Sequence, residues 1–167
     1  MESIYNPTGI VYNRNAMIKI ILLTFLNAMV PVLELRTAIP LGVAGGLSLW
    51  AALVIAIAGN MVPIPFILLF IRRIFAWMQE KNQRFRDIVA RMEAKAAAKQ
   101  DTIHRYEWWG LVILVAIPLP GTGAWTGALV AALMDMQLKR ALPAIFLGIC
   151  IAGIIVSTIT YGVAALV

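Results

Sequence analysis

Glu34 and Arg36 stand two residues apart in the run Glu34-Leu-Arg36-Thr37-Ala-Ile-Pro40-Leu-Gly42, inside sequence that is otherwise apolar. Arg36 keeps its charge and offers a forked donor set suited to phosphate or carboxylate. A desolvated Glu34 can titrate and act as a proton-coupling switch. The two can also hold each other as a structural ion pair. A charge at the bilayer centre costs roughly 2.5–3.5 kcal/mol on insertion scales, so a pair kept at such depth points to a site. On a continuous helix, residues two apart point about 200° away from each other. In an extended segment they project to the same side, and Pro31 just upstream favours that second geometry.

A second constellation is Ile117-Pro118-Leu-Pro120-Gly121-Thr122-Gly123-Ala-Trp-Thr126-Gly127. It has no charge, but Thr122, Thr126 and the backbone N–H groups opening a short helix make a natural site for an anion or polar group. Gly121 and Gly123 serve equally well as tight-turn or close-packing residues. At Gly59-Asn60-Met-Val-Pro63-Ile-Pro65, Asn60 reads first as an interhelical hydrogen-bonding residue and second as a substrate contact. His104 is the single histidine and Cys150 the single cysteine, so no Cys/His metal cluster or disulfide framework is available, and no cofactor is expected. The chain has no phosphate-binding Gly-Lys-Ser/Thr loop, no His-Glu-x-x-His and no nucleophile elbow, which argues against an enzyme.

The elements that must position these groups are membrane elements. With 62% hydrophobic and 13% charged residues over 167 positions, and a mean hydropathy of +0.87, the composition is that of an integral membrane protein forming one domain. The polar start, with Arg14 and Lys19, leads into a first apolar run that has no small-residue cleavage site and reads as retained membrane sequence. Residues 16–49 form an arm, a polar tip at Pro31 to Arg36, and a second arm. Each arm is too short to cross about 30 Å of hydrocarbon comfortably, so a re-entrant hairpin is expected, its tip facing an internal cavity. Residues 50–71 form a transmembrane helix closed by Arg72 and Arg73.

Residues 72–107 are hydrophilic, with nine Lys or Arg against five Asp or Glu. Phe85, Ile88, Val89, Met92 and Ala96 recur at three- and four-residue intervals, the pattern of an amphipathic helix on the bilayer surface or on a partner copy. Trp77, Trp108 and Trp109 flank it as an interfacial belt would, which argues against nucleic acid as a partner. Residues 108–138 repeat the arm, tip and arm, and 141–167 form a last transmembrane helix after Lys139 and Arg140.

Placing Arg73 and Arg140 in the cytoplasm makes the first hairpin enter from outside and the second from inside. The resulting fold is an all-α integral membrane protein of two inverted repeats, each a re-entrant helical hairpin plus one transmembrane helix, with a cytoplasmic amphipathic helix between them. An offset of 89 pairs Pro31 with Pro120, Thr37 with Thr126, Ala52 with Ala141 and Gly59 with Gly148. Interrupted segments at corresponding positions of two inverted halves point to a transporter's midplane site.

The three motifs together resemble the small multidrug export protein family, itself distantly similar to the DedA superfamily, over about Pro31 to Gly153. The resemblance implies two facing re-entrant hairpins and a transport role in a prokaryotic cell membrane. DedA proteins are associated with moving phospholipid carriers, using acids in the first hairpin and arginines in the second. Glu34 matches the acid, whereas no arginine lies between Trp108 and Met134. The expectation is a proton- or ion-coupled transporter of an amphiphilic or anionic substrate, surrounded by lipid and working as a homodimer. Glu34, Arg36, Thr37, Pro40, Asn60, Pro118, Pro120, Gly121, Thr122, Gly123 and Thr126 are its substrate or coupling residues. An uncoupled lipid scramblase and a non-transporting membrane scaffold are the alternatives.

Overall fold

The computed structural model describes residues 3–5, 11–31, 33–81, 83, 86–87, 100–119 and 122–164. A short antiparallel ribbon, β1 (Ser3–Tyr5) and β2 (Val11–Asn13), pairs Ile4 with Tyr12 and leads directly into α1 (Arg14–Met29). The remaining elements are helical: α2 (Glu34–Ala44), α3 (Leu49–Met61), α4 (Pro63–Lys81), α5 (Gln100–Ala116), α6 (Ala124–Leu133) and α7 (Leu138–Ala164). Two of the helix pairs, α1–α2 and α5–α6, are joined by short tips. The ribbon is an addition, because the polar first residues carry no clear alternating pattern.

The helix limits follow from local chemistry. Pro31 has no N–H with which to prolong α1, and the chain turns through Val30 and Pro31 into α2. Ser48 caps α3, its hydroxyl accepting from the Ala51 N–H at 3.3 Å. Pro63 cannot donate to the Gly59 carbonyl, so Val62 donates there instead at 3.3 Å and the crossing segment breaks into α3 and α4. The expected single helix over 50–71 is thus two helices, the second running ten residues further, to Lys81. Likewise α5 begins at Gln100, eight residues before the expected start of the second hairpin. Of the expected amphipathic helix, the residues that carry its pattern, Phe85, Ile88, Val89, Met92 and Ala96, lie outside the described residues.

Left-handed residues and helix ends recur at the 89-residue offset. Among the described residues, positive φ occurs at Glu34 (45°), Gly46 (95°), Gly123 (123°) and Asp135 (53°), which fall into the pairs 34/123 and 46/135. At the end of α2, Leu47 donates to Gly42 and Gly45 to Leu41, both at 2.9 Å. At the end of α6, Met136 donates to Ala131 and Met134 to Val130, again at 2.9 Å. Both are left-handed helix terminations of the Schellman type. Asp135 takes the position for which Gly46 is the easier residue.

Packing follows the same correspondence. α1 packs on α3 and α5 on α7, while α2 crosses to α7 and α6 crosses to α4. Small residues sit at these contacts: Ala28, Ala38, Ala52, Ala56, Ala128, Ala141 and Ala144 are fully enclosed, as expected where helices associate without a hydrophobic drive from water. Gly59 lies against the Phe25 carbonyl of α1, and a Cβ on Gly148 would stand 2.6 Å from Val115 Cβ of α5. Large apolar side chains point outwards instead, among them Leu23, Val54, Phe66, Leu69, Ile154 and Ile159. A soluble monomer rarely exposes such a surface. Leu49–Ile71 and Leu138–Gly162 are long and apolar enough to cross a bilayer, and the chain is a membrane protein.

Gly148→Ala should lower stability by about 1–3 kcal/mol, because the added carbon meets backbone and Cβ atoms that cannot turn away. Gly110 has open space around it, and Gly110→Ala should be neutral or raise stability by about 0.5–1 kcal/mol. Thermal unfolding of the two variants in detergent checks the contrast.

Candidate functional site

Glu34 opens α2 in a left-handed conformation that costs a non-glycine residue roughly 1–2 kcal/mol. The turn aims its side chain at the second hairpin. Its carboxylate is almost sealed, the residue being 5% exposed, and Oε1 accepts from the Trp125 N–H at 3.2 Å with the Ala124 amide beside it. Those amides belong to the first turn of α6, whose cap residue Gly123 supplies no side chain. A carboxylate from one hairpin therefore caps the helix of the other. Gly123 is required twice over: its φ of 123° disfavours a side chain, and a Cβ there would overlap the Glu34 carboxyl group.

Arg36, close enough to Glu34 to act on its charge, also reaches across. Its Nη2 donates to the Thr122 carbonyl at 2.7 Å. The residue at the matching place in the second unit, 89 positions on, is Trp125, and its Nε1 donates to the Met29 carbonyl at the end of α1 at 3.2 Å. Equivalent positions of the two units thus each donate to a carbonyl of the opposite hairpin. Charge-assisted bonds of this kind contribute about 1.5–3 kcal/mol and neutral ones about 1 kcal/mol. Together they join the two tips.

Several expectations for individual residues change. Glu34 and Arg36 lie on the first turn of a helix and not on an unwound segment, because the strained φ at Glu34 does the redirecting that extension would have done. Pro40 does not break the chain: it sits inside α2, where it has no N–H to offer the Arg36 carbonyl. Thr37 donates to Asn27 Oδ1, tying α2 to α1. The Thr122 hydroxyl is used within its own turn, bonding to Ile117 and Leu119 at 2.6 and 2.8 Å. At the start of α6, where an anion site was expected, the amides meet the Glu34 carboxylate. Thr126 lies on the first turn of α6, and Pro120 and Gly121 lie outside the described residues.

A cavity of about 10 Å³ remains between the tips, the size of one water molecule. Glu34, Arg36, Asn60, Pro118 and Gly123 line it, with aliphatic wall from α5 and α7. Glu34 and Gly123, Leu35 and Ala124, and Asn60 and Ile149 are all lining pairs at the 89-residue offset, so the cavity lies where the two units mirror each other. Asn60 is fully buried, and its Oδ1 has no hydrogen-bond partner. It lines the cavity from the broken turn before Pro63. The structure thus gathers Glu34, Arg36, Asn60, Pro118 and Gly123, and leaves Thr37 and Pro40 aside.

Trp125 and Asn27 are the residues that reading the sequence missed. Trp125 had a signal: it is the counterpart of Arg36 at the offset already found from Pro31, Thr37, Ala52 and Gly59. Asn27 had only its polarity within an apolar helix. Among the described residues, no group of three or more His, Cys, Asp or Glu could hold a metal ion.

A family profile described as "Putative small multi-drug export protein" matches residues 34–155, beginning at Glu34 itself. The match covers well over half of the chain, which belongs to this family. As a member of an export family it is not an enzyme. No curated protein and no solved structure gives a significant match.

Trp125→Phe keeps the ring and loses the indole donor, and should cost about 1 kcal/mol. Gly123→Ala should cost more, about 2–4 kcal/mol, since it combines strain with displacement of the carboxylate. Chemical or thermal unfolding of the reconstituted protein ranks the two.

Proposed function

We propose that the chain is a proton- or ion-coupled membrane exporter of an amphiphilic or anionic substrate, in which the two tips form a gate near the bilayer midplane. The observation that carries this reading is the buried Glu34 carboxylate capping α6 in trans beside Arg36. A carboxylate is stabilised at a helix N-terminus because the helix presents unpaired N–H groups and positive partial charge there, worth up to about 2 kcal/mol when partly buried. Protonation removes that charge and weakens one side of the closure. Arg36 stays charged, and once the Thr122 carbonyl is released it is free to meet an anionic group.

Alternation between two sides fits an inverted architecture. Each unit contains a hairpin that returns to its own side and one crossing, so the second unit starts from the opposite side of the membrane. Support comes from the shared left-handed positions, the matched helix ends and the reciprocal packing of α2 on α7 and α6 on α4. Arg73, Lys139 and Arg140 then face the cytoplasm of a prokaryotic cell. A homodimer supplies the enclosed volume that two spans and two hairpins lack.

A second reading is favoured by one observation: the Glu34, Arg36 and Trp125 bonds all serve the closure of the tips. In that case the protein is a membrane scaffold, or a scramblase in which lipid passes without coupling. Transport in proteoliposomes separates these readings. Glu34→Gln is expected to abolish proton-driven transport, by tenfold or more, while the protein remains folded. Unchanged transport would contradict coupling through Glu34. Arg36→Ala should weaken transport of an anionic substrate at least tenfold and spare a cationic one, and equal loss of both would contradict the anion role.

A further inference from the structure

The tip cavity is too small for any exported molecule, yet it contains a buried acid and a buried amide. It has room for about one water, and its polar walls are Glu34, Asn60 and Arg36. A buried acceptor without a partner is costly, about 1–3 kcal/mol, and native structures seldom keep one without a use. Asn60 Oδ1 is such an acceptor. With Glu34 ionised, the carboxylate is an acceptor too and has no hydrogen to give. Once protonated, Glu34 becomes a donor, and Asn60 Oδ1 is the unpartnered acceptor across the cavity.

We propose that the tip cavity is a proton site, in which Asn60 Oδ1 accepts the hydrogen of protonated Glu34 directly or through one bridging water. The proton binds to a Glu34 carboxylate oxygen, and the carboxylate's hold on the Trp125 amide weakens as the O–H turns to Asn60. No other bond is made or broken. Asn60 is a positioning residue that stabilises the unlatched form, and in the closed arrangement the cavity holds a proton and not the exported substrate. The inference rests on reading Glu34 as the coupling group, and it names the coupling ion.

The surroundings favour a proton over a metal cation. Arg36 is the charged side chain beside Glu34 in the cavity wall, and it would repel a sodium ion placed there. Across from Glu34, α6 presents Gly123, Ala124 and the Trp125 amide, α3 presents Asn60, and the α5 and α7 walls are aliphatic. None of these carries a second titratable group. A proton neutralises the carboxylate without needing the five or six oxygen ligands of a metal, which the described residues of the cavity wall do not supply.

Infrared difference spectroscopy between neutral and acidic buffer, on protein in lipid nanodiscs, tests this without any transport assay. The wild type should show a protonated-carboxyl band that Glu34→Gln removes. Asn60→Leu should retain that band but move it to higher frequency, as its hydrogen bond is lost. If Asn60→Leu does not fold, wild-type protein labelled with carbonyl-13C in the asparagine side chain provides the same information: a labelled amide band should shift on acidification and stay fixed in Glu34→Gln. A band that survives Glu34→Gln, an unchanged frequency in Asn60→Leu, or a labelled amide indifferent to pH would each overturn the proton site. Normal spectra together with absent transport would instead overturn the exporter reading and leave the proton site standing.

Discussion

Glu34 places a carboxylate, nearly sealed from solvent, against the opening turn of a helix that belongs to the other hairpin. Polar backbone at the buried tip of a helical hairpin must find partners. The first tip exposes the end carbonyls of α1, and the second exposes the first amides of α6. Bringing the tips together lets each satisfy the other: Glu34 takes an α6 amide, Trp125 serves the Met29 carbonyl, and Arg36 serves Thr122. The left-handed turn at Glu34 and the absence of a side chain at Gly123 are what this contact demands. Changing either residue therefore alters both tips.

The correspondence between the units explains why one carboxylate suffices. Positions 36 and 125 are equivalent and both donate across the interface, but positions 34 and 123 are equivalent and opposite in character. Glu34 projects and Gly123 receives. A second acid at 123 would bring two carboxylates into one small cavity, while two glycines would leave α6 uncapped. Asymmetry at this single pair turns a two-fold packing arrangement into a chemical site, with Asn60 on one side of the cavity and Ile149 on the other.

Much of the fold was legible in the sequence because breakers and charges are rare in apolar runs and stand out. Pro31, the Gly59 to Pro65 stretch and the Pro118 to Gly127 stretch each mark a real interruption. Pro40 misled, since a proline inside a short helix loses one bond but its neighbours can still hold the turn. The break at Val62 was visible as Pro63, but a span can absorb one proline, so periodicity did not predict that α3 and α4 would separate. For the site, residue type identified Glu34, Arg36 and Asn60, whereas partner choice did not follow from type. That Arg36 would bond to Thr122, and that Trp125 would mirror it, depends on how two hairpins meet in space. The offset alone held the hint.

Opening and closure of the tips is the central claim, and labelling from either side of a sealed vesicle addresses it most directly. Single cysteines at positions 33 and 122, in a Cys150→Ala background, can be exposed to an impermeant maleimide applied outside or inside. Substitution at 122 leaves the carbonyl that Arg36 uses untouched. Position 33 should react from outside and position 122 from inside, in different states, with rates that depend on pH and lose that dependence in Glu34→Gln. Cysteines that stay unreactive from both sides at every pH, or that react from both sides at once, would contradict a gate formed by the tips.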